Sequence, residues 1–225
     1  MSLTWAIVLG VGRDQRLTGG ADTAFLSLGN RPALAHAMCA AEACAEIAGM
    51  VVVVSPDRLE MPSAIAMRFG TAKFRSALAG GERRIGNLQR ALEAVDPDAQ
   101  WVAVFEAARP LVAGAVVSEM LRAAAKTGAA AGAELVTDPV CIQTGKTFKP
   151  LDGRSRLWIL RGPRVYRVAV LRKALGLAAK RSPDAEDEIP WVEAAGAGVR
   201  PVALPRPHVK LRTADDLSMA ALWSG

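Results

Sequence analysis

Four short apolar runs punctuate the chain: Trp5 to Leu9 (WAIVL), Met50 to Val54 (MVVVV), Trp101 to Phe105 (WVAVF) and Val199 to Leu204 (VRPVAL). Runs of this length are too short for helices and, Arg200 in the fourth apart, are apolar throughout, so they suit strands covered on both sides. Between them lie alanine-rich, helix-favouring segments at 32–47, 81–95, 113–126, 168–180 and 187–197. Such alternation predicts an α/β fold, a mostly parallel sheet with helices on both faces.

Local chemistry supports the helix boundaries. Pro32 suits a first turn, where its missing N–H is not needed. Gly49 and Gly128 follow helical patterns as stop signals, and Ser182-Pro183-Asp184 separates two helices. The stretch 138–160 breaks the rhythm, with Thr, Val, Ile and Phe in short pieces around Gly145 and Gly153. It reads as an extended hairpin, and an arm of this kind exposes apolar side chains unless a second chain covers them. We expect one domain over 1–225, with a dimerisation arm at about 138–160.

Cysteines 39, 44 and 141 are odd in number and lack CxxC spacing, and His36 and His208 are the only histidines. Disulfide frameworks and structural zinc folds are thereby disfavoured. Cys39 and Cys44 read as buried residues on an alanine-rich helix, and His36 as a partly buried one. The apolar stretch near the N-terminus is only about six residues long and has no basic region before it. No stretch reaches the roughly 18–20 apolar residues that span a bilayer, so a cytoplasmic protein without membrane contact is expected. The formal charge is +6, which suits nucleic acid, an anionic membrane or phosphorylated ligands. With one Tyr and scattered basic residues, stacking platforms for nucleic acid are poorly supplied. A phosphate-handling enzyme is the better expectation.

Four segments carry residues suited to that chemistry. Val8 to Arg16 (VLGVGRDQR) follows the first strand, where a glycine loop turns backbone N–H groups toward the sheet edge. It is neither a dinucleotide fingerprint nor a Walker loop, and an ordinary tight turn remains equally open. Phe105 to Pro110 (FEAARP) sets Glu106 where a buried strand emerges. A carboxylate there can hold Mg²⁺ beside a triphosphate, or it can pair with Arg109 to close a turn. Gly80 to Asn87 (GGERRIGN) leads into a helix whose N-terminus attracts anions, with Arg83 and Arg84 adding charge; a solvated helix start is equally open. Finally, Thr213 and Asp216 have the spacing of a capping box, which leaves Lys210 without an explanation.

In this order and at these separations the segments resemble the 2-C-methyl-D-erythritol 4-phosphate cytidylyltransferases of the non-mevalonate isoprenoid pathway. The likeness runs over nearly the whole chain and includes Val51 to Pro56, Gly80-Gly81, the Ala-Ala-Arg-Pro ending at Pro110, Leu157-Trp158, Asp187-Glu188 and Lys210 with Asp216-Leu217. It implies a Rossmann-like nucleotidyltransferase fold, a homodimer joined through the arm, CTP as co-substrate, Mg²⁺ or another divalent cation, and release of pyrophosphate. By the same resemblance, Arg16 and Lys210 are catalytic. Gly10, Val11, Gly12, Arg13, Gly81, Arg84 and Asn87 bind the nucleotide, and Arg109, Arg154 and Arg212 bind the sugar phosphate. Arg154 reaches across the dimer, and Glu106 stands at the position of the metal-binding aspartate.

The departures are specific. Thr23 replaces a loop lysine, Gly10-Val11 an Ala-Ala pair, Asp14 a loop glycine and Asn87 a nucleotide-binding serine. Pro139, Gly162 and Arg212 stand at threonine positions. A carboxylate about 4 Å from a phosphate costs on the order of 4 kcal/mol at an effective dielectric of about 20, so Asp14 opposes a polyphosphate unless Arg13 or Arg83 compensates. These changes leave open a diverged relative that binds a nucleotide or a protein partner without turnover, or one acting on a different sugar or polyol phosphate.

Overall fold

The computed structural model describes residues 2–13, 17, 20–151, 153, 156–182, 184–205 and 208–223. The first apolar run is strand β1 (Thr4–Leu9), buried along its whole length. A small ribbon, β2 (Ser27–Leu28) and β3 (Arg31–Pro32), leads into α1 (Ala33–Glu42), followed by β4 (Ile47–Val54), α2 (Met61–Phe69), β5 (Phe74–Ala79), α3 (Arg84–Ala94) and β6 (Trp101–Glu106). Then come α4 (Val116–Ala124), β7 (Gly128–Leu135), the hairpin of β8 (Cys141–Thr144) and β9 (Thr147–Pro150), and β10 (Trp158–Arg167). The elements α5 (Val168–Arg181), α6 (Ile189–Ala194), β11 (Gly198–Ala203) and α7 (Ala214–Trp223) close the chain.

Seven strands form one sheet in the order β11-β7-β10-β6-β1-β4-β5. Only β10 runs antiparallel to its neighbours; the other pairings of that sheet are parallel. From β1 the chain winds outward through β4 and β5, then returns to set β6 on the other flank of β1. The winding direction therefore reverses between β1 and β6, and in open α/β sheets ligands bind beyond the carboxyl ends of strands at such a reversal.

Both faces of the central sheet are apolar because alternate residues of β1, β4 and β6 belong to different cores; β11, at the sheet edge and with Arg200 in its run, is mostly exposed and not covered on both sides as expected. Ala6, Val8, Met50, Val52, Val54, Ala103 and Phe105 pack against α1 and α4. Ile7, Leu9, Val51, Val53, Val102 and Val104 pack against α3 and α5. Each fully buried Val, Leu, Ile or Phe contributes about 1.5–3 kcal/mol, so these strands have no register that exposes them cheaply.

Several expectations change. Gly49 does not stop a helix: α1 ends at Glu42, and Gly49 lies inside β4, where a Cβ would stand 2.9 Å from the Trp5 ring. The glycine is there for close packing. Cys44 consequently follows α1 instead of lying on it; it is buried, as expected. Strand β7 (GAAAGAEL) carries no β-branched residue and gives no strand signal in sequence, yet it pairs with β10 and β11. Its small side chains fit a crowded neighbourhood, since a Cβ on Gly132 would stand 2.7 Å from Leu204 Cδ1. The extended region at 138–160 divides into the exposed hairpin β8–β9 and the first residues of β10, which belongs to the main sheet. Among the described residues no helix is long and apolar enough to cross a membrane.

Candidate active site

The loop after β1 is shaped by its backbone. Gly10 N–H donates to Val53 O at 2.7 Å, and Gly12 has φ 145°, a conformation side chains oppose. Arg13 N–H donates to Glu82 O at 3.1 Å, tying this loop to the segment that leads into α3. Asn87, 1% exposed, fastens the two more firmly. Its Oδ1 accepts from Gly81 N–H at 2.8 Å, and its Nδ2 donates to Gly81 O at 2.8 Å and to Val11 O at 3.3 Å. Asn87 thus shapes the pocket wall by bonding backbone. Gly80 completes the joint, since a Cβ there would collide with the side chains of Val11 and Val53.

Below this loop, at the carboxyl end of β6, sits a buried cluster of charges. Glu106 Oε1 accepts from Arg84 Nη1 at 2.9 Å; its Oε2 accepts from Arg109 Nε at 2.9 Å and lies 3.8 Å from Lys210 Nζ. Arg84, the first residue of α3, presents its other edge to Glu188, with Nε to Oε2 at 2.6 Å and Nη2 to Oε1 at 3.0 Å. Glu188 also accepts from Tyr166 Oη at 2.8 Å and pairs with Arg164 Nη1 at 2.9 Å. Arg164 forks onto Asp187 at 2.9 and 2.8 Å. Burial disfavours the Glu106 carboxylate, but Arg84, Arg109, Lys210 and Arg164 outweigh it and hold the group down at about 2. Glu188 is likewise held far below the usual carboxylate range, burial being overcome by Arg84 and Arg164. Burial and the adjacent Glu188 charge push the Tyr166 phenol well up.

A cleft of about 330 Å³ opens between the Arg13 loop and the segment 184–187, lined among others by Arg13, Arg83, Arg84, Glu82, Asp184 and Glu186. Arg83 pairs with Asp184 at 3.0 Å, and Arg13 reaches Glu82 at 3.9 Å and Glu186 at 3.8 Å. These pairs are exposed and contribute little, so an incoming polyphosphate can take over both arginines. Arg212 is exposed at the cap of α7, where its N–H and that of Thr213 donate to Asp216 Oδ2 at 2.9 Å while Thr213 Oγ1 accepts from Asp216 N–H at 3.1 Å. The capping box is therefore formed as expected. Arg16, Arg154 and Asp14 lie outside the described residues.

The structure thus brings together Arg84, Lys210 and the Glu106–Arg109 pair from three separate segments, and joins Gly10, Val11, Gly12 and Arg13 to Gly81 and Asn87. The Glu106–Arg109 pair that closes the turn is present. A cation held by Glu106 does not fit this arrangement: both of its oxygens accept from guanidinium groups, and four cationic side chains surround it. Among the described residues no group of three or more His, Cys, Asp or Glu could hold a metal ion. Arg164, Tyr166 and Glu188 escape a reading of the sequence. Their only signals there are the Asp187-Glu188 pair and the chain's single tyrosine. Asp184, Glu186 and Asp187 also make the cleft more acidic than the arginines alone suggest.

A doubly wound sheet with a glycine loop after β1 and basic residues gathered at the reversal point defines a Rossmann-like nucleotidyltransferase fold. Solved structures share it. The chain superposes on a 4-diphosphocytidyl-2C-methyl-D-erythritol synthase from Anaerococcus prevotii with a TM-score of 0.86 at 17% identity, over 99% of this chain and 96% of that one. It superposes on the 2-C-methyl-D-erythritol 4-phosphate cytidylyltransferase from Thermus thermophilus with a TM-score of 0.77 at 25% identity, over 97% of each. The chain belongs to the 2-C-methyl-D-erythritol 4-phosphate cytidylyltransferase family, whose sequence model matches residues 4–223. A relative of that description from Pelotomaculum thermopropionicum is 30% identical over 218 residues, 96% of this chain and 91% of its own length.

Proposed function

We propose that this chain transfers CMP from CTP to 2-C-methyl-D-erythritol 4-phosphate with release of pyrophosphate, a step of isoprenoid precursor synthesis. One observation carries the reading: within a chain of this family, Arg84, Arg109 and Lys210 converge on Glu106 at the sheet reversal, beside the glycine loop. An oxygen of the acceptor's phosphate attacks the α-phosphorus of CTP in line, a new P–O bond forms, and the bond to the β-phosphate's bridging oxygen breaks as pyrophosphate leaves. No protein nucleophile takes part. Two anions must be brought together while negative charge builds up, so the protein's contribution is positioning and cationic stabilisation.

Lys210 and Arg109 are suited to the acceptor's phosphate. Each is nine-tenths buried beside Glu106, Arg109 through a charge-assisted bond at 2.9 Å and Lys210 as an ion pair at 3.8 Å, and a phosphate competes with Glu106 for both cations. The backbone of Gly10 to Gly12 and the start of α3 face the nucleotide, with Arg13 and Arg83 available to its outer phosphates. Arg16 and Arg154 keep the roles the resemblance gives them. The site contains no step that requires Glu106 to hold a metal.

The hairpin supports a homodimer: Phe148 is 74% exposed and Ile142 52%, and apolar surface of this kind is covered when a second arm packs on it. A cytoplasmic enzyme is the reading that its use of CTP supports. Pyrophosphate release, measured with each of four nucleoside triphosphates over a panel of sugar and polyol phosphates, tests the proposal. CTP with 2-C-methyl-D-erythritol 4-phosphate is expected to be the preferred pair by at least tenfold in kcat/KM; silence at high enzyme concentration would overturn it.

A further inference from the structure

The deepest charge in the cluster belongs to a residue that meets no proposed substrate. Glu188 is 0% exposed and sits just before α6. It takes two nitrogens of Arg84, one of Arg164 and the hydroxyl of Tyr166, all within 3.0 Å. Two of the three guanidinium nitrogens of Arg84 are thereby fixed, and the third, Nη1, is the one that holds Glu106. Charges alternate along one line from Arg164 through Glu188, Arg84 and Glu106 to Arg109 and Lys210. The line crosses from β10 to α3 to β6. Arg84 is gripped from both ends, so its direction is set by Glu188 and the direction of the Glu106 carboxylate is set by Arg84.

We propose that Glu188 is a positioning residue for the acceptor site: by clamping Arg84 it fixes Glu106, and through Glu106 the spacing of Arg109 and Lys210. This rests on the assignment of Arg109 and Lys210 to the acceptor's phosphate. With Glu188 neutralised, Arg84 retains a single anionic partner and turns toward it. The Glu106 carboxylate follows, and the two cations lose their common anchor. A network of this kind acts as a unit, and a double-mutant cycle separates its members from independent contributors.

The test uses Glu188→Gln, Arg84→Met and the double variant, the last losing one charge of each sign while leaving Arg164 on Asp187. Acceptor binding is measured by calorimetry with 2-C-methyl-D-erythritol 4-phosphate, alongside KM for acceptor and for CTP. Glu188→Gln is expected to weaken acceptor binding and raise its KM about tenfold, more than it raises the CTP KM. The double variant should be no worse than Arg84→Met. A folded Glu188→Gln with acceptor binding within twofold of wild type overturns the proposal, as does an additive loss in the double variant. If Glu188→Gln does not fold, a double variant that binds acceptor like wild type overturns it as well. Wild-type turnover, recorded in the same experiment, reports separately on the proposed activity, while the calorimetric comparison stands without turnover.

Discussion

Arg84 and Glu106, 22 residues apart, meet through Nη1 and Oε1 at 2.9 Å with both side chains buried. That contact and those of Arg109 and Lys210 hold the Glu106 carboxyl at about 2, against an ordinary 4.5, despite its burial. The folded value lies below the unfolded one. The resulting stabilisation is therefore complete above about pH 4.5 and lost as pH falls through 2. The difference corresponds to about 3 kcal/mol. Urea unfolding at a series of pH values should show wild-type stability falling across this window, and Glu106→Gln should flatten the fall by roughly that amount. Parallel curves would show that the pairing does not govern acid stability.

Asn87 joins the loop after β1 to the start of α3 through three hydrogen bonds to backbone. Asn87→Ala leaves Gly81 N–H and Val11 O without that partner, a loss of about 1–3 kcal/mol for buried groups. We expect a lower Tm and a CTP KM raised about tenfold, with the acceptor KM nearly unchanged. Equal effects on both KM values would point to general loosening.

Thr23 stands where the family resemblance has a lysine, and it is 0% exposed. It opens a short turn in which Asp22 Oδ1 accepts from Ala24 N–H at 3.0 Å. A lysine here must thread four methylenes through packed surroundings, at a cost of about 1–3 kcal/mol. Thr23→Lys is therefore expected to lower Tm without raising pyrophosphate release. A tenfold gain in kcat/KM at unchanged Tm would instead show that the ammonium reaches the phosphates.

Phe148, at the centre of the hairpin's exposed apolar surface, is the residue with which to test assembly. Phe148→Glu adds a charge that a buried interface cannot accept unpaired. Sedimentation velocity should show a dimer for wild type and a monomer for the variant. A wild-type monomer at micromolar concentration would remove the arm's proposed role.

The strands β1, β4 and β6 are readable from sequence because burial on both faces demands apolar residues at every position. The glycine loop and the capping box at Thr213 and Asp216 are readable because single backbone positions impose their own residue types. Strand β7 is hidden: its glycines and alanines answer to neighbours such as Leu204, which lie far away in the chain. Gly49 misleads for the same reason, its partner being the Trp5 ring. Lys210 stands out in sequence through the family resemblance and as a residue that capping leaves unexplained; its pairing with Glu106 does not.

What this sequence determines by itself is the layered α/β architecture and its family, since hydrophobic periodicity and ordered short motifs are local properties of the chain. Which charges face one another was decided only in three dimensions. Arg83 and Arg84 are adjacent and chemically identical, yet one reaches out to Asp184 and the other lies buried between Glu106 and Glu188. The packing of α3 on β1, β4 and β5 separates them, because a buried guanidinium needs anionic partners and only the packed fold brings Glu106 and Glu188 to Arg84.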